Sequence, residues 1–241
     1  MTTHAALEPS GFFDEELAQA YDQRNSALAP IAQSLHFLTR LALETLPQTA
    51  RVLCVGVGTG AEILALAHHR PQWRFTGVDP SAEMLAVGRH RLEAAGVMDR
   101  CHLLHGYVDD VAERDFDVVI SLLVAHFVKA DLRAPFYRAI HDRLRPGGRF
   151  VSAEISCDLN GEAFPKMLDD WKQVQALMGA TDASLAALPE MLRDVLSVLS
   201  APATEALWKE AGFPVPVPFF QAFMIRGWHA DKPQPQGIAI G

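Results

Sequence analysis

The chain has 241 residues, 49% hydrophobic and 21% charged, which suits one folded domain and excludes a disordered or low-complexity chain. Lys and Arg total 21 against 29 Asp and Glu, a formal charge of −8 that argues against nucleic acid as a partner. No apolar run reaches the roughly 18 residues of a membrane span, no secretory signal opens the sequence, and Cys54, Cys101 and Cys157 form neither a disulfide framework nor a zinc pattern, so a cytoplasmic protein without bound metal is expected.

Residues 1–50 read as a helical cover. Phe12, Phe13, Leu17, Ala20 and Tyr21 recur at helical spacing. A second run from Ile31 to Leu46 is rich in leucine, packs internally or across a homodimer, and stops at Pro47. Residues 51–156 then alternate strands and helices. The strands are 51–55, 74–78, 102–105, 116–123 and 149–155. Helices follow from Ala61 to His69, from the N-cap Ser81 to Ala95 with Gly96 beyond its end, and from a cap at Asp131 to Leu144, closed by Pro146-Gly147-Gly148. Arg133, Arg138, Arg143, Arg145 and Arg149 lie close in sequence and read as a solvated helix face or, alternatively, a local basic patch. This alternation predicts a mainly parallel sheet with right-handed crossovers. Residues 157–200 lack strand signals and form a helical insertion. Its stripe of Phe164, Met167, Leu168, Trp171, Val174, Leu177 and Met178 either buries itself on the sheet or serves as a lid over a small substrate, bordered by Phe219, Phe220 and Phe223. Residues 201–230 supply a helix and two closing strands, and 231–241 a mobile tail.

Chemistry concentrates in Val52-Leu-Cys-Val-Gly-Val-Gly-Thr-Gly60. Gly56, Gly58 and Gly60 between a strand and a helix allow a tight turn and a close approach of backbone to ligand. Asp79 ends the next strand, where a carboxylate can accept hydrogen bonds from a ribose. Loop and acid together point to an adenosine-containing cofactor. Gly56-x-Gly58-x-x-Ala61 also satisfies the dinucleotide pattern of an NAD oxidoreductase, and a plain strand–helix turn is the bland alternative.

Residues 51–156 resemble class I S-adenosylmethionine (SAM)-dependent methyltransferases. The likeness rests on Val52 to Gly60, Gly77-Val-Asp-Pro-Ser-Ala-Glu-Met84, Phe116-Asp-Val-Val-Ile-Ser and Leu144-Arg-Pro-Gly-Gly-Arg-Phe. Phe13-Asp-Glu, Gly212-Phe and Phe219-Phe-Gln-Ala-Phe are similar to the carboxy-SAM synthase branch. The resemblance implies a Rossmann-like α/β fold with a seven-stranded, mostly parallel sheet and a reversed last strand. It implies SAM as cofactor and S-adenosylhomocysteine (SAH) as product, with methyl transfer to a small-molecule acceptor. It places Gly56, Val57, Gly58 and Gly60 along the methionine part, Asp79 on the ribose with Pro80 and Met84 beside it, Tyr107 and Val108 at the adenine, and Ser121 near the amine. Two positions depart from the family. Cys54 stands where an acidic residue is usual, and Glu62 could supply that charge or simply complement a helix terminus. Tyr107 replaces an acidic adenine contact, which Asp109 or Asp110 could provide. Against carboxy-SAM synthase itself, Ala32 stands at the position of a cofactor-contacting Tyr, and Arg193 is the nearest candidate for the Arg that binds the transferred carboxylate. A SAM-binding protein without turnover is a further alternative. Methyl transfer needs mainly positioning and desolvation, with His126 and Tyr21 as candidate catalytic residues, beside Arg24 and His36.

Overall fold

The computed structural model describes residue 23 and residues 25–235. Seven strands form one sheet: β1 (Arg51–Val55), β2 (Arg74–Asp79), β3 (Cys101–His105), β4 (Phe116–Leu122), β5 (Leu144–Ile155), β6 (Val217–Ala222) and β7 (Ile225–Asp231). Their order is β3-β2-β1-β4-β5-β7-β6. β1 to β5 run parallel, whereas β7 runs antiparallel to both β5 and β6. This is the Rossmann-like sheet with a reversed last strand that the sequence predicts. Strand order reverses between β1 and β4, and the crevice at such a point is where open α/β sheets take ligands.

Side chains alternate across the strands, so both faces of the sheet are buried. Leu53 and Val55 of β1 and Val119 of β4 join Phe150, Trp208, Phe213 and Trp228 on one face. Val52, Cys54, Val118 and Ile120 join Ile63, Leu66, Trp73 and Phe75 on the other. The helices complete these layers: α1 (Ala29–Ala42), α2 (Ala61–Ala67), α3 (Ala82–Ala94), α4 (Arg133–Arg143), α5 (Phe164–Leu177), α6 (Asp182–Ala186) and α7 (Ala201–Glu210). Ser81 caps α3 as expected, its Oγ accepting from Met84 N at 3.1 Å. Gly96 follows with φ +67°, the left-handed turn that ends the helix.

Other sequence expectations are corrected. α4 begins after Leu132 with no side-chain cap, so Asp131 is not its N-cap. Leu144 and Pro146-Gly147-Gly148 belong to β5, next to a register shift between Phe116 and Val118 of β4. The helix ends at Arg143, and the glycines lie in the part of β5 where the register to β4 shifts. The arginines do not form one solvated face. Arg145 and Arg149 lie on β5, and Arg133 and Arg143 are buried. Arg133, fully buried, donates Nη1 to Glu154 Oε2 at 2.6 Å, Nε to Val128 O at 2.9 Å and Nη2 to Ser197 O at 2.6 Å. Thr204 Oγ1 donates to the other Glu154 oxygen at 2.7 Å. These bonds tie α4, β5, α7 and the returning insertion together. Residues 157–200 contain α5, α6, a helical turn at Leu188–Glu190 and an extended return that bridges Ser156 to Leu199.

Candidate SAM site

A cavity of about 490 Å³ opens at the point where strand order reverses, within the size range of small-molecule sites. Its floor is the β1–α2 loop. Gly56, Gly58 and Gly60 all have positive φ, at +68°, +50° and +76°, so the turn demands residues without a Cβ. A Cβ on Gly56 would overlap the Val124 side chain, and one on Gly88 of α3 would meet Gly58 O at 2.9 Å. The loop is thus gripped between the end of β4 and α3.

Asp79 lies at the cavity edge. Its Oδ2 accepts from Gly58 N at 2.8 Å and its Oδ1 from Ser81 N at 2.9 Å. The two bonds fix the carboxylate while leaving each oxygen lone-pair capacity for a further donor. Burial raises its pKa, and these N–H donors and His105 oppose the rise. His105 Nε2 lies 3.0 Å from the Pro80 carbonyl and fixes that turn.

Gly56, Val57, Gly58, Glu62, Asp79, Pro80, Met84, Tyr107 and Val108 all line this one cavity. Gly60 and Ser121 do not. Ser121 is fully buried inside β4, and its Oγ has no partner among the described residues. Asp109 reaches the cavity, whereas Asp110 turns back to accept from Tyr107 N at 2.8 Å. Cys54 stays in the sheet with its thiol pKa raised by burial. Glu62 is 8% exposed, and burial beside Asp79 pushes its pKa up to about 8.

His126 does not line the cavity. It is buried, its Nδ1 lies 3.3 Å from Ile155 N, and burial near Arg133 lowers its pKa to about 3. Such a ring serves packing and backbone satisfaction. Tyr21 and Arg24 lie outside the described residues. His36 of α1 does line the cavity, with its pKa lowered by burial.

The insertion, expected either to bury itself or to act as a lid, contributes no cavity residue. Phe164, Trp171 and Val174 instead pack with Leu188, Leu192 and Ile225 in a third cluster, and Leu177 is 67% exposed. Phe219, Phe220 and Phe223 are also absent from the cavity wall. That wall comes from residues sequence reasoning missed: Leu28 and Ile31 before and within α1, Leu123 and Phe127 after β4, and Leu132 and Phe136 around the start of α4. Leu123 has φ +61°, a conformation that is uncommon without glycine and carries strain. Arg193 is remote as well, donating to Leu159 O and Asn160 Oδ1.

Fixed carboxylate, glycine floor and volume fit an adenosine-containing ligand. Among the described residues no His, Cys, Asp or Glu cluster could hold a metal ion, and no helix is long and apolar enough to cross a membrane. Residues 52–148 match the family described as Methyltransferase domain. Carboxy-S-adenosyl-L-methionine synthase of Campylobacter lari is 24% identical over 210 residues, covering 87% of this chain and 89% of that protein. The enzyme of the same name from Desulfotalea psychrophila is 24% identical over 226 residues, covering 92% of each. An O-methyltransferase family protein from Burkholderia thailandensis superposes with a TM-score of 0.68 at 13% identity, over 96% of this chain and 64% of that one. This chain therefore spans just under two thirds of that structure's length. The chain thus has the methyltransferase-like fold, and the match over residues 52–148 together with the carboxy-S-adenosyl-L-methionine synthase relatives supports SAM as cofactor or substrate.

Proposed function

We propose that the protein transfers the methyl group of SAM to a small, largely apolar acceptor. The observation that carries this reading is the composition of the cavity wall. Beside Asp79 and the glycine loop, the cavity is lined by Leu28, Ile31, Leu123, Phe127, Leu132 and Phe136. Arg91 is the one Arg or Lys among the described lining residues, and it donates to Thr59 O and Oγ1. Among the described residues the lining holds no further Arg or Lys to pair with a carboxylate to be transferred.

In this reading Asp79 accepts the ribose hydroxyls, Tyr107 and Val108 flank the adenine, and the backbone at Gly56 to Gly58 runs along the amino-acid end. When bound, SAM supplies a methyl carbon activated by its sulfonium. The chain's own contribution is to hold that carbon against the apolar wall, to exclude water and to orient the acceptor. His36, whose pKa burial lowers, lines the cavity and carries the ring nitrogen there that could accept a proton from the acceptor.

The second reading, carboxy-SAM formation, is favoured by the coverage of the curated relatives. Mass spectrometry of the nucleotide released when the purified protein is denatured separates the two. SAH supports methyl transfer, whereas SAM alone is common to both readings. Carboxy-SAM overturns it.

A further inference from the structure

β4 ends in a left-handed step that its apolar sequence does not require. Along the strand the side chains alternate, with Val118, Ile120 and Leu122 on one face of the sheet and Val119 on the other. Continued alternation would turn Leu123 to the face that holds Val119 and Phe150. Instead Leu122, Leu123 and Val124, consecutive in the chain, all line the cavity. The cause is the backbone at Leu123, which takes φ +61°. The chain reverses there, directly after the strand, while Leu123 N still donates to Ala153 O at 2.6 Å. The reversal is thus pinned to β5.

Left-handed backbone is unfavourable for a residue with a Cβ, and leucine lacks the short polar side chain with which Asn or Asp compensates. Glycine would make the same turn without strain. What leucine adds is its side chain. Asp115, Leu123 and Phe223 are the described non-glycine residues with positive φ, and of these Leu123 alone lines the cavity. Its side chain is half-buried against the third apolar cluster, which includes Met224 and Ile225 and holds it in place. The next residue, Val124, closes on the glycine floor, since a Cβ on Gly56 would overlap it. Leu123 therefore stands one residue from the loop that follows the amino-acid end of SAM in the reading above. We infer that Leu123 selects the acceptor: its side chain is a steric stop beside the methyl carbon, and it limits the acceptor to a compact apolar molecule with one polar reacting atom. The inference deepens the methyl-transfer reading and rests on it.

The test is isothermal titration of the full chain, loaded with SAH, with phenol, 2-naphthol and 4-phenylphenol, a series that grows from one ring to two. In wild type the second ring should bring no gain in affinity. Leu123→Ala and Leu123→Gly should raise the affinity for 4-phenylphenol relative to phenol by at least about tenfold, the scale on which a methylene-sized difference discriminates in a hydrophobic pocket. Leu123→Gly adopts the left-handed turn without strain, so the test stands even where Leu123→Ala does not fold. Leu123→Met, which keeps the bulk, should move the ratio less. A ratio that does not move, with SAH and every phenol weakened alike, would make Leu123 a packing residue of the third cluster and overturn the inference. So would an absence of phenol binding in wild type and variants together. Failure of SAH to bind wild type, or carboxy-SAM among the nucleotides released on denaturation, would instead sink the reading beneath it.

Discussion

At the residue scale, Asp79 shows how one side chain can be committed to backbone and ligand together. Its two oxygens each accept a backbone N–H, one from Gly58 and one from Ser81. The carboxylate thus shapes the glycine loop and presents its remaining lone pairs to the cavity. Asp79→Ala should weaken SAM or SAH by about 1–3 kcal/mol, the scale of hydrogen bonds to a charged group. Asp79→Asn should not rescue it. An amide must turn its NH2 toward one of the two N–H donors, where only an acceptor fits. Calorimetry of both variants checks this, and Asn binding like wild type would mean that the charge is not used. Asp79 is legible in the sequence because strand-end position and residue type both carry the signal. His126 shows the opposite case. The sequence offers a histidine after β4 with chemistry in reach, yet the chain turns it inward, toward Ile155 N. Nothing local separates a packed imidazole from a catalytic one.

At the scale of elements, the strands and the glycine loop were readable because their signals are local. Apolar runs, glycine needed at positive φ, and the Ser81 cap act within a few residues. Misreadings occur where a local rule met a tertiary constraint. Pro146-Gly147-Gly148 looks like a helix stop but lies within β5, where Gly147 takes φ +71° and donates its N–H to Lys232 O at 2.8 Å. Arg133 looks like a surface arginine because helix faces are normally solvated. Its partners Val128, Glu154 and Ser197 come from three separate segments, so no sequence window reveals them. That cluster fixes the start of α4, and with it Leu132 and Phe136 of the cavity wall. Breaking the pair strands a buried charge, so Glu154→Leu alone should cost about 3–5 kcal/mol of stability. Arg133→Met with Glu154→Leu should cost less than Glu154→Leu alone, because no charge remains uncompensated. Urea denaturation of the variants checks the order. A double variant less stable than the single would show that the Arg133 bonds to Val128 and Ser197 carry the cluster instead.

At the scale of the whole molecule, the cavity belongs to none of the predicted segments. Its floor is the β1–α2 loop, its polar side comes from β2 and the loop after β3, and its apolar side from α1 and the β4–α4 connection. A sequence read segment by segment finds the floor and misses the wall. The insertion then acquires a different role from a lid. Its third cluster shares Leu28, Ile31, Leu123, Phe127 and Ile225 with the cavity wall, so it holds those residues from behind. A wall built this way transmits packing defects to ligand affinity without contact. Trp171 lies in that cluster, buried and absent from the cavity. Trp171→Ala should destabilise the fold by about 3–5 kcal/mol, as large-to-small changes of buried aromatics do. It should also weaken SAH, because Leu28 and Ile31 lose their backing. The measurement is paired thermal unfolding with and without saturating SAH, since a ligand that binds only the folded state raises its stability according to affinity. A smaller SAH-induced rise in the variant supports the shared wall. An equal rise would make the insertion an independent buttress, and the cavity would then be defined by the sheet and α1 alone.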